Sequence, residues 1–264
     1  AVCLMTLNPA PIREDIQPMP PAWSIWFQNL RQLLNDLIAM LGIRSGRIPY
    51  GNGTGLTSSP DLTYDGTKLK VGPDSGYTEI DPTAGPILGG DATVWKDIVF
   101  PIIAKFTGAG NPTYATFKGN IKAPRFAVND TVDLDASEFI HEWLEATDAH
   151  IHLHWTSMTN VGAARAVKWQ VEETHVPYTE GGVWTDAQTF SVEVTIPANT
   201  PAFTEFITPI ATVPIPGGKI GGQIRMKLTR IAASGTAPAT APFATQLGVH
   251  LECNSMGSRE ISTK

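Results

Sequence analysis

Residues 164–171 read ARAVKWQV, and their alternation decides the class of fold. Ala166, Lys168 and Gln170 fall on one side of an extended chain, and Val167, Trp169 and Val171 fall on the other. A period of two with one apolar, β-branched and aromatic side marks a half-buried strand. Eight further runs share this composition: Val94–Ile103, Ile121–Val128, Glu138–Glu145, His150–Trp155, Phe190–Ile196, Phe203–Val213, Gln223–Ile231 and Gln246–Cys253. Clusters of Gly, Pro and Asn separate them. Such spacing predicts a mainly β chain whose residues 91–264 form an antiparallel β-sandwich, with the jelly roll as the expected topology. Strand order is not contained in the pattern.

Composition agrees. The 264 residues include 24 Gly and 21 Pro, and only 17% are charged, which favours strands, turns and extended arms over helical packing. A net charge of −6 without a basic run argues against nucleic acid as a partner. No apolar stretch approaches the roughly 18 residues of a membrane span, so no membrane insertion is expected. The start, AVCLMTLNPAPIRED, lacks the basic region and apolar core of a signal peptide. Cys3 and Cys253 give neither a disulfide framework nor zinc spacing, and this usage fits assembly in a reducing cytoplasm.

Working towards the N-terminus, residues 72–90 (GPDSGYTEIDPTAGPILGG) are rich in proline and glycine and read as a linker that ends at the domain boundary. Before it, Leu62–Tyr64 and Lys68–Val71 flank Asp65-Gly66, a strong hairpin signal. Residues 46–71 hold too few apolar side chains to fold alone and would borrow a core from neighbours, so residues 46–90 read as a glycine-rich β-stem or linker. Further back the chain turns helical. Trp23, Phe27, Leu30, Leu34, Leu37 and Leu41 follow heptad spacing, Trp26, Leu33 and Met40 widen the stripe, and Gly42 provides a C-cap. A lone helix of about 20 residues with so broad an apolar face is not stable by itself. Residues 1–45 therefore read as an extended proline-bearing arm plus a helix for attachment and oligomerisation, and three heptads suit three chains.

Two stretches carry a resemblance. Residues 48–72, IPYGNGTGLTSSPDLTYDGTKLKVG, resemble a segment common in bacteriophage tail fibres and other virion proteins. Ala92–Phe100, His150–Trp155 and Asn254–Glu260 hold the positions at which a family of phage and prophage virion proteins carries D…FP, H.HW and DSLGSR landmarks; here Asn254 and Met256 replace the usual Asp and Leu. The resemblance implies a non-enzymatic β-sandwich virion component, usually multimeric. It does not by itself place the protein on the tail, collar or capsid; together with the N-terminal helix the expected form is a homotrimeric tail fibre. Such a fibre attaches through its N-terminal arm to other virion proteins of the tail, collar or capsid, and displays the sandwich to a host-surface glycan or protein. A capsid decoration, collar or baseplate component is the neighbouring alternative.

The sharpest chemical feature is His150-Ile151-His152-Leu153-His154, which puts three imidazoles on one face of a strand about 6.5–7 Å apart. Three accounts stay open. The histidines can bond across strands without a metal. They can hold a transition-metal ion at a subunit interface, since fibrous phage proteins use H-x-H in this way around a three-fold axis. Or they can belong to a metal-dependent, cupin-like jelly-roll enzyme, with His175 or His250 as a further ligand if the fold brings it close. The enzyme motifs are incomplete: no carboxylate follows His154 at short distance, and His141-Glu142 does not continue as H-E-x-x-H. GNGTG at 51–55 lacks the lysine of a phosphate loop, and no G-x-S-x-G elbow occurs. Asp133, Asp135, Glu138, Glu142, Glu145 and Asp148 form a local acidic group that reads as a solvated face rather than a glycan-cleaving pair. Of the tryptophans, Trp143, Trp155 and Trp169 read as core. The loop His175–Trp184, with Tyr178 and Trp184, is the best site for a receptor contact.

Overall fold

The alternating run at 164–171 lies within a 12-residue strand, Arg165–Val176, in which Val167, Trp169 and Val171 are fully buried. The computed structural model describes residues 21–40, 47–51, 56–103, 109–158, 162–177 and 182–258. The chain divides into two units, Ala1–Ala92 and Thr93–Lys264. Among the described residues there is one helix, and strands dominate the rest.

The first unit contains α1 (Pro21–Met40) and five strands, β1 (Arg47–Gly51), β2 (Leu56–Tyr64), β3 (Leu69–Val71), β4 (Gly76–Asp81) and β5 (Gly85–Gly90). They form an antiparallel meander in chain order. The β2–β3 turn is built as its sequence suggests: Asp65 Oδ1 accepts from the amides of Thr67 (2.8 Å) and Lys68 (2.7 Å), and Gly66 takes φ 104°.

Residues 76–90, although rich in proline and glycine, form the β4–β5 hairpin. The Tyr77 ring lies across Gly89, its register partner, where a Cβ would meet the ring at 2.3 Å. Glycine here admits an aromatic side chain rather than loosening the chain. Asp81 holds the hairpin turn by accepting from Thr83 N (2.7 Å), Thr83 Oγ1 (2.5 Å) and Ala84 N (3.2 Å), and it pairs with Lys68 at 3.0 Å.

The second unit adds β6 (Val94–Pro101), β7 (Thr113–Lys118), β8 (Ile121–Arg125), β9 (Thr131–Asp133), β10 (Ser137–Glu138), β11 (Ala149–Thr156), β12 (Arg165–Val176), β13 (Gln188–Ile196), β14 (Glu205–Val213), β15 (Gln223–Ile231) and β16 (Phe243–Cys253). One sheet runs β14-β11-β16-β8-β7, with β6 also on β16; the other runs β10-β15-β12-β13, with β9 also on β15. Count β6–β8 as the first segment, β9–β10 as the second, and β11 to β16 as the third to eighth. The orders are then 1-8-3-6 and 2-7-4-5, the winding of a jelly roll. The sheets meet through Ile151, Leu153 and Trp155 on one side and Val167, Trp169 and Val171 on the other, with the Trp155 and Trp169 rings 5.9 Å apart.

The expected strand Glu138–Glu145 is not one. Only Ser137–Glu138 pairs, and the chain then turns, with Trp143 bridging Cys253. Phe139 and Trp143, both fully buried and 4.7 Å apart, plug the core there. Phe139, Ile140, Trp143 and Leu144 give the run a strand-like composition, yet here it serves a turn that buries two rings.

Candidate functional site

Strand alternation places Ile151, Leu153 and Trp155 in the core, so His150, His152 and His154 lie on the opposite face of β11. Their neighbours on that face come from β14 and β16. His150 is in register with Thr212 and His250, His152 with Pro209 and Gly248, and His154 with Ile207 and Gln246. On the far side of β16, Asp97 of β6 is the partner of His250.

The three histidines of the H-x-H-x-H run have different hydrogen-bond neighbours, although the His152 and His154 rings meet with centroids 5.1 Å apart. His150 Nδ1 hydrogen-bonds with Thr212 Oγ1 at 3.0 Å, and its ring meets Trp95 edge-on with centroids 5.0 Å apart. His154 Nδ1 lies 2.8 Å from Glu205 Oε1. His152 instead groups with His250 and Asp97: its ring centroid is 4.3 Å from that of His250, and His250 Nε2 is 2.8 Å from Asp97 Oδ1. One donor atom from each of Asp97, His152 and His250 lies within 4.8 Å of the other two. Among the described residues this is the grouping whose spacing suits a metal ion.

His152 is only 7% exposed although it points away from the core. Gly248 makes that possible, since a Cβ there would come within 2.4 Å of the imidazole. Burial, reinforced by the neighbouring His250, holds the His152 pKa below the ordinary histidine range. Its Nδ1 is buried without a hydrogen-bond partner. A cavity of about 520 Å³ opens beside it, lined by Trp95, His150, His152, Ile207, Pro209 and His250 among others.

His250 is thus the later histidine that the fold brings close. His175 is not: it sits in β12, buried, with Nδ1 2.8 Å from Glu173 Oε1. Asp97 lay within the D…FP landmark but carried no sign of a role beside the histidines, because that depends on its pairing with a residue at the other end of the domain. Gly248 was equally silent.

The remaining expected sites fall as follows. On α1, Trp26 and Phe27 are exposed, with rings 5.0 Å apart, and Leu30 and Leu34 are exposed as well. The side chains of Trp23 and Leu37, and all of Leu41, lie outside the described residues, as do the arm 1–20 and Tyr178. Trp184 is exposed beside Val183. Trp143, Trp155 and Trp169 are fully buried core residues. Within the acidic group, Glu142 pairs with Lys96 at 2.9 Å and Glu145 with Lys219 at 2.7 Å. Those lysines suit a charged outer face.

No protein-family model matches the chain, and no curated protein does. Among solved structures, the infectious bursal disease virus Gx strain matches over 76% of this chain and 46% of that one, with 13% identity and a TM-score of 0.29. The VP2 subviral particle of the same virus matches over 77% and 46%, with 13% identity and a TM-score of 0.27. The chain spans less than half the length of these structures, and so distant a likeness carries no functional information.

Proposed function

We propose that this chain is a non-enzymatic virion structural protein. Its N-terminal arm and helix attach it to the particle and gather three copies, and its sandwich faces outward to bind a host-surface glycan or protein. The observation that carries this reading is the exposed apolar stripe of α1. Trp26, Phe27, Leu30, Leu33 and Leu34 all face solvent, with Leu33 66% exposed. A stripe with heptad spacing and this exposure gains stability by packing against its own copies. The tail-fibre resemblance of residues 48–72 supports the same reading. The exposed Val183 and Trp184 supply an aromatic contact surface on the sandwich. Weak contacts per subunit then become avid through repetition on one particle.

Cryo-electron microscopy of the assembled particle tests this. The expected map shows helices 21–40 bundled where the fibre joins the particle and the sandwiches outermost. Sandwiches lying flat against a capsid or collar would remove host binding and leave decoration as the role.

A further inference from the structure

The geometry points to a mononuclear site for a divalent transition-metal ion of the zinc class, formed within each chain by Asp97, His152 and His250. It is independent of the proposed virion role, and it differs in composition and place from a shared H-x-H cluster on a three-fold axis.

The donor set is two imidazole nitrogens and one carboxylate oxygen, a combination that suits zinc, nickel or cobalt and is poor for the all-oxygen preference of calcium and magnesium. A tetrahedral ion with bonds near 2.0–2.1 Å needs its donors about 3.3 Å apart. The His250–Asp97 pair at 2.8 Å and the 4.8 Å limit on the whole group bracket that value. Closing on an ion therefore takes side-chain shifts rather than backbone movement.

The donors sit on three neighbouring strands, β6, β16 and β11, so the sheet ladder fixes them before an ion arrives. His152 is the anchor. It is buried, it is seated over Gly248, and its Nδ1 has no hydrogen-bond partner. A buried imidazole nitrogen without a partner is costly in a finished structure and natural in a site that awaits a ligand. His250 and Asp97, about two-fifths exposed, form the reachable side. The contact between them orients His250 and gives way on binding, when the ring proton sits on Nδ1 and Nε2 turns its lone pair to the ion. His150 and His154 stay outside the set because Thr212 and Glu205 already engage them.

Three protein donors leave a coordination position open for water or another ligand. Within the sandwich the ion would clip β6, which pairs with β16, to β11 across it.

The test uses the full chain without a histidine tag, stripped with chelator and titrated with Zn²⁺ by calorimetry and with Co²⁺ by visible absorption. The expected result is one ion per chain, a Co²⁺ ligand-field band, and a rise in melting temperature with Zn²⁺. Asp97→Asn and His250→Ala, whose half-exposed side chains can change without unfolding the sheet, should each weaken binding about tenfold or more. His154→Ala should bind as the wild type does. Absence of both the heat and the band would overturn the site. So would unchanged affinity in Asp97→Asn and His250→Ala, or one ion per three chains with binding lost in His150→Ala.

Discussion

In the sandwich, Trp143, Trp155 and Trp169 are fully buried, and two sheets close over them with Ile, Leu and Val from nearly every strand. In the N-terminal unit the one buried residue among those described is Asp81, a carboxylate, while the helix presents Ile25, Trp26, Leu30 and Leu33 to solvent. The sandwich contains its own driving force for folding. The first unit is organised by hydrogen bonds, tight turns and ion pairs such as Lys68–Glu79 at 2.9 Å, which contribute little at an exposed surface. A segment of that kind is stable when further apolar area is covered, and its own copies provide the simplest cover. The contrast is the physical basis for the proposed association of the N-terminal unit.

The strongest way to break the contrast is Trp155→Ala. This indole stacks on Phe206 at 4.5 Å and donates to Thr208 Oγ1 at 2.8 Å, so its loss should cost the sandwich about 3–5 kcal/mol in denaturant unfolding. Leu33→Ala on the helix should leave that same transition within about 0.5 kcal/mol. Equal effects would mean that the two units share one core.

A smaller effect sharpens the account of the outer face of the sandwich. Gly248→Ala drives a methyl group into the His152 ring and should cost about 1–3 kcal/mol. Adding His152→Ala should recover part of the loss, since the clash disappears with the ring. A double variant no more stable than Gly248→Ala alone would show that the strain lies elsewhere.

The smallest effect concerns the first unit and acid. The Thr83 hydroxyl and amide, then Lys68 and the Ala84 amide, hold the Asp81 pKa well below the usual carboxylate range. A folded-state pKa below the unfolded value means that stability is present above about pH 3.9 and is lost as pH falls further. Hydrogen exchange at residues 76–90 should therefore accelerate in acid, and Asp81→Asn should flatten that pH dependence. An unchanged profile in the variant would remove Asp81 from the account.

Local periodicity was legible where one face is buried and the other is not. The 164–171 alternation, the Asp65-Gly66 hairpin and the single face of His150, His152 and His154 all emerge from short-range pattern. What failed was context. Residues 76–90 hide a hairpin because Gly89 reads as a breaker until Tyr77 is known to lie across it. Phe139 and Trp143 belong to a run of strand-like composition while plugging the core from a turn. The grouping of Asp97, His152 and His250 depends on β16 lying between β6 and β11, an order set by packing between segments some 100–150 residues apart in sequence. Of the three donors, His152 was visible in the histidine run and His250 as a conditional further ligand; bringing them together with Asp97 required the pairing.

Sedimentation equilibrium of the full chain over a range of concentrations tests the central claim most directly, with a Leu30→Glu, Leu34→Glu variant beside it. The account predicts an assembly of three times the 28.4 kDa chain, reduced to single chains in the variant while the sandwich unfolds at unchanged denaturant concentration. A wild-type chain that stays at 28.4 kDa throughout, or a variant that remains assembled, would contradict it.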